Sequence, residues 1–335
     1  MSCFIIAEAG VNHNGDMALA HRLIDAAADA GADAVKFQTF RADALATLAA
    51  PKAEYQNATT SPGSQYDMLR ALEFRPKNHA EMIEHCARRD ILFASTPFDE
   101  QSVDLLDGLD VPFLKIPSGE VTNYPLLRHI AAKARPVILS TGMSTLEEVQ
   151  RAVGWLSDGP TAGSRLSPLS ILHCVTAYPA PAEAINLSCI ATMSTDLSLP
   201  IGYSDHSLGI SIPVAAAALG AVIIEKHMTL DCALPGPDHA ASLEPLAFAA
   251  MVNGIREVEA ARGDGVKRPA TCETANIPVV RRSIVAARFI PKGARITDDD
   301  LATKRPGTGL SPARWTDVVG QKAVRNFETD TMIEI

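Results

Sequence analysis

Nowhere in the 335-residue chain does an apolar run approach the roughly 18 residues that a membrane-spanning helix needs. No membrane partner is therefore expected. The opening segment, MSCFIIAEAGVNHNGD, has no basic region and reaches Glu8 after a few apolar residues, which reads against a secretory signal. Positive charge is in deficit: 30 Lys and Arg stand against 39 Asp and Glu, a net charge of −9. That balance argues against a nucleic-acid coat or an anionic membrane surface. It leaves room for an anionic small substrate, which a few local lysines can hold. Cysteines number six, and none falls in a C-x-x-C pair or a zinc-ribbon spacing. Reduced, mostly buried thiols and a cytoplasmic location are expected. No G-x-G-x-x-G follows the first apolar run, which counts against a doubly wound dinucleotide fold.

What the sequence does contain is alternation. Eight short β-rich runs begin at Cys3, Asp33, Ile91, Pro112, Pro136, Leu169, Pro200 and Ala221. Amphipathic stretches separate most of them, such as MALAHRLIDAAADAG, which repeats apolar residues at helical spacing and stops at Gly31. Eight strands alternating with helices over about 260 residues predict an α/β fold, a (β/α)8 TIM barrel, spanning residues 1–262. One connection differs. Arg41 to Phe74 shows no strong periodicity and is expected to form a long loop over the C-terminal mouth of the barrel. Residues 263–282 are rich in Gly, Pro and Thr and read as a linker. Residues 283–335 read as a small β-rich module, too small for a strong core of its own and suited to docking on a partner subunit.

In such a barrel, chemistry lies at the C-terminal ends of the strands. Here those ends are polar: Glu8 with Asn12, His13 and Asn14; Lys36 and Gln38; Ser95 and Thr96; Lys115, Ser118 and Glu120; Ser140 and Thr141; His173 and Thr176; Asp205 and His206; Glu225, Lys226, His227 and Asp231. Two strand-end lysines, with Ser118 and Ser140, suit a phosphate and a carboxylate. Lys115 could equally be an ordinary ion-pair partner. His206 and His227 lie on adjacent strands and could converge on one divalent ion. With no cysteine near them in sequence, Mn²⁺, Fe²⁺, Co²⁺ or Zn²⁺ would suit that pair.

The segments EAGVNHNG, DAVKFQTF, FASTPFD, KIPSGE, ILSTGM, HCVTAYP, GYSDHS and EKHMTLD-x4-GPDH follow one another along the barrel. Together they resemble the sialic acid synthase family, the nonulosonate synthases. The tail, with KRPGTGLSP, resembles that family's antifreeze-like SAF domain. The resemblance implies condensation of phosphoenolpyruvate with an open-chain N-acyl hexosamine and release of phosphate. It places phosphoenolpyruvate on Lys36, Lys115, Ser118 and Ser140, with Thr96 and Thr176 assisting. It places the metal, most simply Mn²⁺ with Mg²⁺ or Co²⁺ as alternatives, on His206 and His227. Glu8, Gln38, Glu120, Tyr178 and Asp238 match sugar-binding positions. Arg305 matches an arginine that the SAF domain inserts into the neighbouring subunit's site, which implies a domain-exchanged homodimer. Glu120 is the candidate for proton handling and Glu8 the alternative.

Three other readings share parts of this pattern. A Schiff-base aldolase would use a strand-end lysine but would not need the histidine pair. A phosphoenolpyruvate-dependent sugar-phosphate synthase would need a second phosphate site and no C-terminal module. A non-catalytic sugar-binding protein would not need the lysines and histidines together. Within the family, GVNHNG, KAEYQ, YPAP, GPDHAASLEP and GDGVKRP look most like the N,N′-diacetyllegionaminate synthases. Those act on 2,4-diacetamido-2,4,6-trideoxymannopyranose; N-acetylmannosamine, giving N-acetylneuraminate, is the runner-up.

Overall fold

In the computed structural model, residues 2–60, 62–157 and 169–335 are described. The chain divides into two units, Met1–Gly263 and Asp264–Ile335. The first holds eight strands: β1 (Phe4–Gly10), β2 (Ala34–Thr39), β3 (Leu92–Pro97), β4 (Leu114–Ile116), β5 (Val137–Ser140), β6 (Leu169–Cys174), β7 (Ile201–Asp205) and β8 (Ile223–His227). They form one sheet in the order β3-β2-β1-β8-β7-β6-β5-β4, and each hydrogen-bonded pair is parallel. The two ends of that order, β3 and β4, also lie side by side. The sheet therefore curls into the eight-stranded barrel that the alternation predicts.

The helices form where the sequence gives them a start and an apolar stripe. Met17–Asp29 opens at Asp16, whose side chain accepts from the Ala18 N–H, and buries Ala20, Leu23, Ile24 and Ala27. These residues join the large core between barrel and helices, with Ile5, Val35, Phe37 and Phe248 among others.

Strand side chains alternate between that outer core and the barrel interior. Ile6, Ala34, Ala94, Phe113, Ile138, Leu172 and Ile223 make one apolar layer inside the barrel. Two residues further along each of the same strands stand Glu8, Lys36, Thr96, Lys115, Ser140, Cys174 and Glu225. The strand period of two thus carries one apolar floor and, directly above it, one polar layer at the C-terminal end.

The stretch after β2 departs from expectation. Instead of an irregular loop it holds three short helices, Ala42–Leu45, Glu54–Thr59 and Gln65–Leu72. The last starts with a reciprocal cap between Ser64 and Asp67. Leu72 packs with Val11 and Phe40 in a small separate core. The Gly236 N–H reaches the Thr59 carbonyl at 3.1 Å, so this segment leans on the loop after β8. β4 is also shorter than expected, because the chain turns after Pro117 into a 3-10 turn at Ser118–Glu120.

In the second unit, β9 (Ser283–Ala286) and β10 (Leu301–Lys304) pair antiparallel. Ile284, Ile290, Ile296, Leu301, Val318 and Phe327 form its core. Residues 263–282, read as a linker, contribute a 3-10 turn at Thr271–Asn276 and a short helix at Ile277–Val280. Among the described residues, no helix is long and apolar enough to cross a membrane.

Candidate active site

The polar layer surrounds a cavity of about 260 Å³ whose lining includes Glu8, Lys36, Gln38, Thr96, Lys115 and Ser118. Ser140, Cys174, Thr176, Tyr178, His206, Glu225 and His227 also line it. Four buried charges lie at its base. Lys36 Nζ is 2.6 Å from Glu8 and 3.8 Å from Glu225, and it donates to Thr96 Oγ1 at 2.8 Å. Lys115 Nζ lies 3.4 Å from Glu225 on the other side.

Burial and charge pull these groups in different directions. Burial pushes the Glu8 carboxyl up to about 7, although Lys36 opposes it. Burial would raise Glu225 too, but Lys115 and Lys36 together outweigh it and hold its carboxyl below the ordinary value. Burial acts to lower Lys36, yet Glu225 and Glu8 raise it above the usual lysine value. Lys115 is lowered, chiefly by burial. With one carboxylate held ionised and the other drawn towards its neutral form, the cavity is biased to receive an anion.

The hydroxyls of Ser118, Ser140 and Thr176 line the same cavity. Ser118 Oγ accepts from the Gly142 N–H at 2.9 Å. The Ser140 hydroxyl is buried and has no hydrogen-bond partner among the described residues. Gly142 is required by close approach: a Cβ there would meet Thr176 Oγ1 at 2.2 Å and Ser118 Oγ at 3.0 Å. The expected contacts at Lys36, Thr96, Lys115, Ser118, Ser140 and Thr176 therefore all share one cavity.

The histidines sit at its rim. The rings of His206 and His227 are 5.4 Å apart between centroids, and Tyr178 lies against His206 at 4.1 Å. The His206 Nδ1–H donates to the Val175 carbonyl at 2.7 Å, so in the neutral ring Nε2 is the nitrogen left to bind an ion. His227 Nδ1 is buried without a hydrogen-bond partner among the described residues; Asp238 Oδ2 is 3.9 Å away. Burial, with His206 nearby, holds His227 well below the ordinary histidine value. Burial also opposes charge on His206, but Cys174 and the Val175 carbonyl outweigh it and raise that ring. Two available imidazole nitrogens fit a divalent ion. Among the described residues no group of three or more His, Cys, Asp or Glu side chains is set for a metal.

Of the positions expected to meet a sugar, Glu8, Gln38 and Asp238 converge. Gln38 Nε2 donates to Glu8 Oε1 at 3.2 Å. An added Cβ at Gly10, whose φ is +53°, would stand 3.3–3.4 Å from polar atoms of all three residues. Burial pushes Asp238 up to about 6.

A match to the NeuB family model covers residues 23–267, and a match to the SAF domain covers residues 281–334. The chain belongs to the NeuB family. It is a nonulosonic acid synthase, an enzyme of the phosphoenolpyruvate-dependent transferase type. It is 48% identical to the N,N′-diacetyllegionaminic acid synthase of Legionella pneumophila, over 99% of this chain and 94% of that one. It is 46% identical to the protein of the same name from Campylobacter jejuni, over 98% of both. Among solved structures, the N-acetylneuraminic acid synthetase of Leptospira borgpetersenii is similar with a TM-score of 0.72 and 38% identity, over 83% of this chain and 90% of that one.

Several polar strand ends of this NeuB-family barrel do not belong to the site. Thr39 and Ser95 hydrogen-bond to each other outside the cavity, at 2.6 Å between their hydroxyls. His173 turns to the Ile185 carbonyl at 2.6 Å, and Asp205 pairs with Lys226. All stand at odd parity to the inward residues. Asn12 and Asn14 instead tie the loop after β1 to the loop after β8, through the carbonyls of Met228 and Pro235. Glu120 is half-buried, accepts from Asn123 Nδ2 at 2.5 Å and is absent from the cavity lining. Arg305 lies in the second unit, where its Nε donates to the Val280 carbonyl at 2.9 Å.

Of the polar lining residues, Glu225 was noted only as a polar strand end without a role, and Cys174 and Ser204 were not named. Glu225 shares a face with His227, two residues along the strand, so parity alone could have placed it. Cys174 comes within 3.8 Å of His206, because β6 and β7 are neighbours in the sheet. Sequence distance concealed that approach.

Proposed function

We infer that this synthase condenses phosphoenolpyruvate with 2,4-diacetamido-2,4,6-trideoxymannopyranose to give N,N′-diacetyllegionaminate and phosphate. The observation that carries the choice of sugar is the 48% and 46% identity, over nearly full length, to two N,N′-diacetyllegionaminic acid synthases. N-acetylmannosamine is the competing acceptor.

Lys36 and Lys115, with the hydroxyls of Ser118, Ser140, Thr96 and Thr176, hold the phosphate and carboxylate of phosphoenolpyruvate through charge-assisted hydrogen bonds. His206 and His227 would hold a divalent ion, most simply Mn²⁺, which would supply Lewis-acid polarisation of an aldehyde. Gln38, Asp238 and Tyr178 orient the sugar. C3 of phosphoenolpyruvate forms the new bond to the aldehyde carbon, water adds at the cationic C2 and gives one proton to solvent, and phosphate leaves by cleavage of the C2–O bond, taking the C2 hydroxyl proton as C2 becomes a carbonyl. Glu8 gives its proton to the nascent alkoxide; its burial and its raised pKa favour it over Glu120 for that role. A homodimer in which Arg305 of one chain completes the site of the other extends this reading.

The test is phosphate release from phosphoenolpyruvate by purified protein with Mn²⁺. Release that depends on the added sugar, with a product of the mass of N,N′-diacetyllegionaminate, supports the reading. Sugar-independent release, or none with any N-acyl hexosamine, overturns it.

A further inference from the structure

Directly behind the two histidines, on the outer face of the barrel, lies a second polar cluster that the reaction does not touch. Asp205 and Lys226 are cross-strand partners on β7 and β8, both fully buried, with Lys226 Nζ 2.6 Å from Asp205 Oδ2. The Asp205 carboxylate is saturated. Oδ1 accepts from the Tyr203 hydroxyl at 2.8 Å and the Ser207 N–H at 3.0 Å. Oδ2 also accepts from the Ser207 hydroxyl at 3.0 Å. Lys226 Nζ donates as well to the Ser207 carbonyl.

Every one of these bonds ends on a residue flanking a histidine. Asp205 and Ser207 bracket His206, and Lys226 precedes His227. The His206 carbonyl is itself held by the Ala180 N–H at 2.9 Å. A fully buried ion pair is a weak source of net stability, because desolvation offsets most of its attraction. What this one does provide is a rigid cross-strand tie at the point where both imidazoles leave the backbone.

Resting on the metal reading of His206 and His227, we propose that the Asp205–Lys226 pair is a positioning element. It fixes the backbone on either side of His206 and joins it to β8, so that the two imidazoles stand at one spacing. Removing it leaves the lysine cluster at the base of the cavity intact and loosens the spacing of the histidines.

The experiment uses full-length, metal-free protein and the charge-neutral double variant Asp205→Asn/Lys226→Met, which leaves no unpaired buried charge. Mn²⁺ affinity is read by electron paramagnetic resonance, and phosphoenolpyruvate affinity by calorimetry in EDTA. The proposal predicts Mn²⁺ binding about tenfold weaker, the low end for loss of a partner outside the ligands, with phosphoenolpyruvate binding within about twofold of wild type. Unchanged Mn²⁺ binding, or equal loss of both ligands, overturns it. If the double variant does not fold, Tyr203→Phe removes one bond to the same carboxylate and is judged by the same two readouts, with about threefold weaker Mn²⁺ expected. His206→Ala and His227→Ala serve as controls. Mn²⁺ binding unaffected in both would remove the metal reading, and this proposal with it.

Discussion

The Nδ1–H of His206 is committed to the Val175 carbonyl at 2.7 Å, while His227 Nδ1, across 5.4 Å of ring separation, has no partner among the described residues. On the proposed reading this imidazole pair shares a cation. EDTA should abolish turnover and Mn²⁺ should restore it. His206→Ala and His227→Ala should fold, keep the wild-type circular dichroism spectrum and remain inactive at ordinary metal concentrations. Metal loading should also weaken as pH falls, since protons compete for the same nitrogens. Full activity of metal-free enzyme would remove the assignment.

On the proposed reading the lysines answer to phosphoenolpyruvate. Lys36→Met and Lys115→Met each remove one charge-assisted contact, worth about 1.5–3 kcal/mol. The kcat/KM for phosphoenolpyruvate should fall about tenfold to a few hundredfold for each. Lys36 should cost more, because its loss also strips Glu8 of a buried partner 2.6 Å away. Steady-state kinetics at saturating sugar checks both, and unchanged kinetics would make that lysine structural.

Glu8 gives the pH dependence a direction. Burial raises its carboxyl to about 7, so the proton is held below that pH and lost above it. A donor of this kind makes kcat/KM for the sugar decline as pH rises through about 7. Glu8→Gln cannot give a proton; it should lower kcat by about 10²–10⁴-fold and abolish that limb. Glu120→Gln should leave the limb in place. Stability carries the same sign: the raised pKa stabilises the fold fully below the unfolded value near 4.5, and that contribution is lost as pH rises through about 7. Denaturant midpoints of wild type and Glu8→Gln across that window measure it.

Arg305 tests the dimer. Arg305→Ala, or deletion of residues 283–335, should raise KM for the sugar or nearly abolish turnover while phosphoenolpyruvate binding survives. Mixing Arg305→Ala with His227→Ala and allowing subunit exchange should restore activity, because one site of the heterodimer then combines an intact barrel with an intact arginine. No recovery despite demonstrated exchange would place Arg305 within its own chain's function or outside catalysis.

The barrel was legible because its signal repeats eight times, and the cavity because strand parity turns a one-dimensional pattern into two faces. Parity was also where the reading went too far. Lys226, Asp205, His173 and Ser95 are polar and close to strand ends, yet one residue's shift sends each to the outer face. Their partners, such as Tyr203 for Asp205, follow from side-chain packing and cross-strand register, which no local pattern states. The helices between Arg41 and Phe74 were missed for a related reason. They are too short to be stable alone and lean on tertiary contacts such as Leu72 with Val11 and Phe40. The Ser64–Asp67 cap and the Gln56 side chain accepting from the Ala53 N–H were their local signs.

The most direct measurement of the central claim is a competition in one vessel. Equal amounts of 2,4-diacetamido-2,4,6-trideoxymannose and N-acetylmannosamine are incubated with phosphoenolpyruvate, Mn²⁺ and the enzyme, and the two products are separated by mass. The account predicts N,N′-diacetyllegionaminate in at least about tenfold excess, the discrimination that one or two well-placed contacts supply. N-acetylneuraminate as the main product would contradict it.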